Sequence, residues 1–540
     1  MMKRVLTMLA AGVPLAAAAV CVPTAWADPQ SRPAAAPFSC TAPSVKAPAG
    51  TAVESVTAVR QEGGTIDGTG TLGGTVAGVP AFCEVTVTLT HPGDGDHAHV
   101  RTWLPVTGWN GRFQALGGSA FQAGDNGVGL GTAVKGGYAA TTTDAGVGDA
   151  IDTSWALDGA GKVNSALLEN FASRSQHEAA VVGKEVVDAV YGKRPSYSYF
   201  TGCSTGGRQG YMEAQRYPGD YDGILADAPA VNWDEFEVAT LWPQVVMNNE
   251  KTYPTDCEFT AFTNAAVRAC DSLDGVKDGL VNDPERCTFD PSSLIGTKVE
   301  CRGTQLTITA ADAAVVRKIW DGPRTPSGQK LWAGVPIGAD LQGLANTKPG
   351  TDGNPVGDPF LVPARWVTTW LEKDPSFDVS TLTYGRFAQL FRQSEAEYDA
   401  VIGTDDPDLS AFRASGGKLL SWHGQADQFI PAQGTVAYRK QVEATMGGAK
   451  RVDDFYRLFL APGTSHCGLN GIDGSADGLS ALAAWVEHGK APATLPATLT
   501  NASGEKVTRE LCRYPQVSRY KGHGDPAVAT SFRCVSPSQG

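Results

Sequence analysis

Residues Gly202-Cys203-Ser204-Thr205-Gly206 follow directly on an alternating Tyr197-Ser198-Tyr199-Phe200 run. A Gly-x-Ser-x-Gly turn placed between a strand and a helix constrains this chain more than any other segment. The small residues let the backbone double back sharply and lift the serine hydroxyl clear of the strand ends. Ser204–Tyr217 is then expected to be the helix after the turn. A cysteine stands immediately before the serine, and a second one immediately after a histidine, at His466-Cys467. If those two cysteines pair, one covalent bond draws a nucleophile and a base together.

A serine nucleophile needs a base, and the base needs an acid that holds its tautomer. Downstream, Trp422-His423-Gly424-Gln425-Ala426-Asp427 places Asp427 in a loop after a buried strand at Lys418–Trp422. Ala461-Pro462-Gly463-Thr464-Ser465-His466 places His466 in a loop after a strand at Arg457–Leu460. Taken singly these are weak signals. The chain has 63 glycines, a lone Asp is more often a turn residue, and a lone His a surface imidazole. Together they stand in the order Ser, Asp, His, each after a predicted strand, which is the order of α/β-hydrolases. His423 is the rival base, but it precedes the acid. His97 and His99 flank one residue like a metal pair, yet beside Asp96 they read as solvated surface. His177 reads as structural.

The same alternation of patterns gives the fold class: α/β, an α/β-hydrolase core with a large inserted lid. Glu54–Val106 is strand-rich, with Cys83–Thr90 alternating cleanly. Gly111–Leu116 and Gly137–Thr143 read as strands, Val163–Tyr191 as a helix, and Gly223–Ala228 as the strand after the serine helix. From Val231 to Pro407 the pattern becomes aromatic, loop-rich and dense in Asp, Gly and Pro. That is far longer than a strand-helix-strand unit of roughly 30 residues needs. The α/β pattern resumes at Lys418, with a helix at Leu479–Glu487. The organisation is therefore a signal peptide at 1–27, the first part of the core at 28–230, a lid domain at 231–407 and the second part of the core at 408–540. Trp366, Trp370 and Phe387 in the lid could line a pocket, although aromatic residues in such a segment are more often core.

The N-terminus has Lys3-Arg4, an Ala/Leu/Val-rich stretch and Ala25-Trp26-Ala27, the three parts of a cleaved secretory signal. Cys21 follows bulky Val20, against a lipoprotein site. Cleavage would remove two basic residues and no acid, leaving a chain more acidic than its formal −13. Such a balance argues against nucleic-acid and anionic-membrane partners, and no later stretch is long and apolar enough to span a bilayer. Of eleven cysteines, ten remain beyond Cys21, an even number that suits disulfides in an oxidising compartment. The expected location is extracellular.

Gly202-Cys203-Ser204-Thr205-Gly206-Gly207-Arg208-Gln209-Gly210, Glu213-Ala214-Gln215-Arg216-Tyr217-Pro218, Tyr221-Asp222-Gly223-Ile224 and Trp109-Asn110-Gly111-Arg112-Phe113 resemble the tannase/feruloyl esterase family. That family also includes an enzyme hydrolysing mono(2-hydroxyethyl) terephthalate. The resemblance runs from about Cys40 to Cys534. It implies an α/β-hydrolase core with a lid, the triad Ser204, Asp427 and His466, and a Cys203–Cys467 bridge beside it. Cys40–Cys83 and Cys512–Cys534 follow by the same analogy. The glycine turn at Gly117-Gly118-Ser119-Ala120-Phe121 is poorer in glycine than the family's, Val147 stands where relatives often carry histidine, and Ser465 and Leu469 also depart from the usual base loop. Backbone N–H groups of Thr205 and of Gly118, or a neighbour of Gly118, are the expected oxyanion donors.

A second motif lies in the lid. Cys270-Asp271-Ser272-Leu273-Asp274-Gly275-Val276-Lys277-Asp278-Gly279-Leu280 carries three carboxylates between glycines, which suits a hard cation with oxygen ligands, though not at EF-hand spacing. The resemblance implies structural calcium held by Asp271, Asp274 and Asp278 side chains with the Val276 and Leu280 carbonyls. Cys270–Cys287 would close a short loop around it, which leaves Cys257–Cys301. No organic cofactor is expected. The resulting expectation is a serine ester hydrolase acting on feruloyl- or galloyl-type esters, free or linked to plant polymer. The alternatives are a terephthalate-monoester hydrolase, a secreted serine peptidase, and an inactive binding protein on the same fold.

Overall fold

In the computed structural model, which describes residues 38–71, 73–351, 353–468 and 477–537, the alternating segment forms the strand Phe82–Thr90, with Val85, Val87 and Leu89 buried inward. It belongs to a ten-stranded sheet. Nine strands form the continuous path: β1 (Ala52–Gln61), β2 (Phe82–Thr90), β3 (Ala98–Pro105), β4 (Arg112–Ser119), β5 (Ala139–Thr143), β6 (Tyr197–Cys203), β7 (Gly223–Asp227), β8 (Lys418–Gly424) and β9 (Tyr456–Ala461). The short strand Gln122–Gly124 pairs with β4 off that path. The spatial order is β1-β2-β3-β5-β4-β6-β7-β8-β9. The leader 1–27, with Cys21, and Leu469 lie outside the described residues.

The pairings β1–β2, β2–β3 and β3–β5 are antiparallel, and every pairing from β5 to β9 is parallel. Parallel strands need crossover connections that cover the sheet faces. The helix Val128–Lys135 and helices α1 (Ser175–Tyr191), α2 (Thr205–Arg216) and α3 (Ala432–Met446) lie in such connections, and α4 (Gly478–His488), after the last strand, packs on β7 and β8. Accordingly β5 and β7 are buried along their whole length. Because β6 to β9 run the same way, their C-terminal ends share one edge: Cys203 lies opposite Asp227, and Gly424 opposite Ala461. The loops carrying Ser204, Asp427 and His466 all leave from that edge, where open α/β sheets place their ligands.

The interval between β7 and β8 is more helical than its composition suggests. It holds helices at Trp233–Ala239, Trp242–Glu250, Asp256–Cys270, Ala310–Asp321 and Tyr384–Ile402. Two of them open with reciprocal capping boxes, Thr255 with Glu258 and Thr309 with Asp312, a start signal written in the sequence. The aromatic residues of this interval form core. Trp366, Trp370 and Phe387 are fully buried, and Trp370 stacks on Phe121 of the sheet region at 5.1 Å. The apolar core is shared between the insertion and the segment around Phe121, Leu168 and Phe171.

The helix expected at Val163–Tyr191 is present with a π-turn at Asn170–Arg174 between Ser165–Glu169 and α1. The C-terminal segment forms two hairpins, Thr494–Thr500 with Lys506–Cys512 and Val517–Tyr520 with Phe532–Val535. Five disulfides join Cys40–Cys83, Cys203–Cys467, Cys257–Cys301, Cys270–Cys287 and Cys512–Cys534.

Candidate active site

The turn after β6 is shaped by backbone crowding. A Cβ on Gly202 would lie 2.5 Å from the carbonyl carbon of Gly206, and one on Gly117 would lie 2.6 Å from Gly206 Cα. Only glycines allow α2 to start against the ends of β6 and β4. The strain falls on Ser204, at φ 63 and ψ −123, a region that non-glycine residues rarely enter and that recurs at functional turns. Its N–H donates to Asp227 O at 3.0 Å, and its carbonyl accepts from Arg208 N at 2.9 Å.

Asp427 is fully buried in the loop after β8. Its Oδ1 accepts from the N–H groups of Phe429 (2.9 Å) and Ile430 (2.8 Å). Its Oδ2 accepts from His466 Nδ1 at 2.8 Å and from His423 Nε2 at 3.2 Å. Burial alone would raise this carboxyl. The His466 charge and the two imidazole hydrogen bonds outweigh it and hold the group well below the usual carboxylate range. With Nδ1–H donated to Asp427, Nε2 of His466 is left as the ring's acceptor, the form a general base needs. The His466 N–H donates to Gln428 Oε1 at 3.1 Å. The edge of Phe429 meets the His466 ring at 5.5 Å, and Phe360 of the insertion stacks on Phe429 at 4.7 Å.

His423 is buried, with Nε2 facing both Asp427 Oδ2 and Ile430 O (2.8 Å) and Nδ1 facing Thr435 Oγ1 (2.8 Å). Both partners of Nε2 are acceptors, so that nitrogen carries hydrogen. His423 is thus engaged at both nitrogens, one of them on Asp427. His97 and His99 do not converge: His97 is exposed, His99 is half-buried, and they pair separately with Glu54 and Asp144 at 2.7 Å each. His177 stacks on Tyr217 at 4.2 Å and bonds Asp220 at 2.6 Å.

The Cys203–Cys467 bridge holds its two Cα atoms 6.0 Å apart across 264 residues of sequence. Ser204 follows one of these cysteines and His466 precedes the other. The Ser204 hydroxyl makes no hydrogen bond among the described residues, so the bridge is what ties it to the His466 loop. Apo sites often show such open geometry before a substrate tightens it.

The oxyanion expectation needs one correction. The Gly118 N–H donates to Gln209 Oε1 at 2.9 Å, and Gln209 Nε2 donates to Ala123 O at 2.9 Å. That side chain stitches the glycine turn to α2 and uses up the Gly118 amide. The next turn is better placed. Ala120 stands at φ 49, its carbonyl accepts from the Thr205 hydroxyl at 2.7 Å, and its N–H meets no acceptor among the described residues. Thr205 itself is buried at the start of α2.

Arg208, one turn into α2, is a residue the sequence reading left without a role. It is fully buried, and its guanidinium donates to Ala172 O (2.8 Å), Phe171 O (3.3 Å) and Thr404 Oγ1 (3.3 Å). It also lies over the Phe171 and Trp233 rings at 5.7 and 5.6 Å. Burial pulls it down to about 9. It ties the serine helix to the π-turn and to the end of the insertion. Its visible signal was its place in Gly206-Gly207-Arg208-Gln209.

The acidic loop of the insertion is compact. Asp271 Oδ1 accepts from the N–H groups of Asp278 and Gly279 at 3.0 Å each. Asp274 accepts from Val276 N at 3.2 Å and from the Asn282 amide, and Asp278 pairs with Arg509. Burial, then the Asp278 charge, pushes Asp274 up to about 7, and burial raises Asp278. Three buried carboxylates face one arginine here, a hard-oxygen set with charge to spare for a cation. The three are not among the described clusters whose ligand atoms all lie within 4.8 Å of one another. The loop also touches the base loop: a Cβ on Gly463 would lie 2.5 Å from Leu280 Cδ2.

A family model described as tannase and feruloyl esterase matches residues 83–535. A probable feruloyl esterase of Arthroderma benhamiae is 51% identical over 463 residues, covering 84% of this chain and 86% of that protein. Feruloyl esterase B of Aspergillus niger is 31% identical, covering 84% of this chain and 87% of that protein. Among solved structures, tannin acyl hydrolase from Aspergillus niger superposes with a TM-score of 0.80 at 26% identity, over 91% of this chain and 92% of that one.

Proposed function

The chain belongs to the tannase and feruloyl esterase family, and on that premise we propose that it is an exported enzyme that hydrolyses esters of phenolic acids through an acyl-enzyme on Ser204. Its class is carboxylic ester hydrolase. A feruloyl rather than galloyl preference is favoured by the 51% identity to a probable feruloyl esterase.

In this reading His466 Nε2 takes the Ser204 proton as the oxygen attacks the ester carbonyl. Asp427 stabilises the imidazolium, and His423 fixes Asp427. The N–H groups of Thr205 and Ala120 receive the oxyanion, each worth about 2.7–4 kcal/mol when its geometry is right. The proton then passes to the leaving alcohol, and water releases the acid. The observation that carries the proposal is the clasp: a disulfide from the residue before Ser204 to the residue after a histidine held 2.8 Å from a buried Asp427. Five disulfides and the leader composition support export. Asp271, Asp274 and Asp278, with the Val276 and Leu280 carbonyls, would hold calcium. The ion would supply charge that orders the loop behind Gly463, and no catalytic step passes through it.

The test is a substrate panel: methyl ferulate, methyl gallate, a terephthalate monoester and the amide matched to the best ester, run beside fluorophosphonate labelling. The expected result is turnover of the hydroxycinnamate ester, no amide cleavage, and labelling lost in Ser204→Ala. Labelling that persists in that variant, or a preference for the amide, overturns the reading.

A further inference from the structure

His91, in the turn between β2 and β3, lies between two buried carboxylates. Its Nδ1 meets Asp96 Oδ2 at 2.6 Å, and its Nε2 meets Glu178 Oε1 at 2.8 Å. His91, Asp96 and Glu178 are 6%, 4% and 3% exposed. Asp96 closes the same turn and also accepts from the His91 N–H (2.8 Å) and the Asn170 amide (2.7 Å). Glu178 comes from the first turn of α1, and its Oε2 has no partner among the described residues. The cluster therefore ties the antiparallel strands to the helix that follows the π-turn.

These contacts fix the hydrogen count. Burial would raise Asp96, but the His91 N–H, the Asn170 amide and the His91 ring hold it below the usual carboxylate range, so Nδ1 donates to it as N–H. Nε2 and Glu178 Oε1 need one hydrogen between them, since otherwise two lone pairs would meet in a buried site. An imidazolium beside a carboxylate and a neutral ring beside a carboxylic acid hold the same number of protons. Burial raises Glu178, which favours keeping that proton in either form. The other charged or titratable groups acting here are Asp94 on the turn, Arg174 at the end of the π-turn and His177 on α1. Arg174 is spent on Asp94 (3.1 Å) and Asn170 Oδ1 (2.6 Å), and His177 on Asp220. His91, Asp94 and Asp96 bring ligand atoms within 4.8 Å of one another. With both ring nitrogens and Asp94 already paired, a proton and not a metal ion completes the cluster.

We infer that one proton shared between His91 and Glu178 is a latch that holds α1 to the β2–β3 turn and opens in alkali. Unfolded, histidine and glutamate release their protons near about 6.5 and about 4.3. Above about pH 7 the folded chain keeps a proton that the unfolded chain has lost. The stabilisation is thus full below about pH 6.5 and falls as pH rises, by about tenfold in the unfolding constant per pH unit while the proton is held. Asn170 carries the latch toward the active site. It adjoins Phe171 and Ala172, whose carbonyls hold Arg208 of the serine helix. The closed latch braces the framework under α2, and its opening loosens that framework.

Thermal midpoints of the full-length protein and of Glu178→Gln, measured side by side from pH 6.5 to 9, test this without reference to esterase activity. Glutamine brings its own N–H to Nε2, so the variant needs no shared proton. The wild-type midpoint is expected to fall relative to the variant by about one to two degrees per pH unit above pH 7. Parallel curves overturn the inference. Neutron diffraction from wild-type crystals at pD 8 reads the same point without a variant. Deuterium on Nδ1, with a second deuterium between Nε2 and Glu178 Oε1, is the expected result, and a bare Nε2–Oε1 contact overturns the inference.

Discussion

Two disulfides clasp loops in this molecule, and they act on different kinds of problem. Cys203–Cys467 spans 264 residues and joins the end of β6 to the loop after β9, whereas Cys270–Cys287 spans 17 residues and closes one loop of the insertion. The first holds side chains that have no local reason to meet. The second removes freedom from a segment already close along the chain. Loop-closure entropy grows only slowly with length, so the contrast is mainly one of geometry. A triad loses about a hundredfold in rate when a group moves by an ångström. The carboxylates beside the two clasps behave in opposite ways. Asp427 is held well below its usual range by two imidazoles, while Asp274 is pushed up to about 7 by burial and its acidic neighbours. One region surrounds its buried acid with two imidazoles and two backbone N–H groups, and the other sets three carboxylates against a single arginine.

The largest effect is expected on the catalytic side. Asp427→Asn should lower kcat/KM for an aromatic ester by about 10⁴-fold. A loss under tenfold would move the acid's role elsewhere. Because the folded pKa of Asp427 is depressed, its contribution to stability is present above the unfolded value of about 3.9 and is lost as pH falls through the folded one. That contribution is therefore constant across the neutral range.

On the insertion side the effect should be on stability. Chelation is expected to lower the thermal midpoint by several degrees, since an ion at a hundred times its Kd contributes about 2.7 kcal/mol. Calcium should restore it, and activity well below the midpoint should stay within about twofold. A midpoint indifferent to chelator removes the ion from the account.

The smallest effect concerns acids deeper in the insertion. Burial, then the charges of Glu235, Asp399 and Asp405, pushes Asp234 up to about 8, and burial raises Glu235 to about 7. A raised carboxyl pKa means a destabilisation that begins above the unfolded value of about 3.9 and grows until pH 8. Asp234→Asn should therefore raise the midpoint at pH 8 by a degree or two more than at pH 5, measured by differential scanning. Equal shifts at both pH values would contradict this.

The same contrast explains what was legible in the sequence. That the loops of Ser204, Asp427 and His466 share one edge was readable because each follows a strand of strong pattern, and a parallel sheet sends such strand ends to one edge. The Cys203–Cys467 pairing was implied by the family resemblance, since ten cysteines alone leave the connectivity open. Gly118 was misjudged because its amide is taken by Gln209, a contact 91 positions away. His423 was seen as a rival base, and only the fold shows both of its ring nitrogens engaged. In the insertion, the density of Asp, Gly and Pro suggested loops, and the helices after the capping boxes at Thr255 and Thr309 were not anticipated. Arg208 stayed hidden because its partners are two carbonyls of a π-turn and the Thr404 hydroxyl 196 positions away, which no local pattern announces.

If the Cys203–Cys467 bridge positions Ser204 and His466 for a shared transition state, opening it should cost activity before it costs the fold. Activity and tryptophan fluorescence, followed together as reductant is raised under native conditions with Cys203 and Cys467 mapped by peptide mass, test it directly. Ester turnover is expected to fall by about a hundredfold as that bridge opens, before the fluorescence changes. Full turnover with Cys203 and Cys467 both free in folded protein would contradict it.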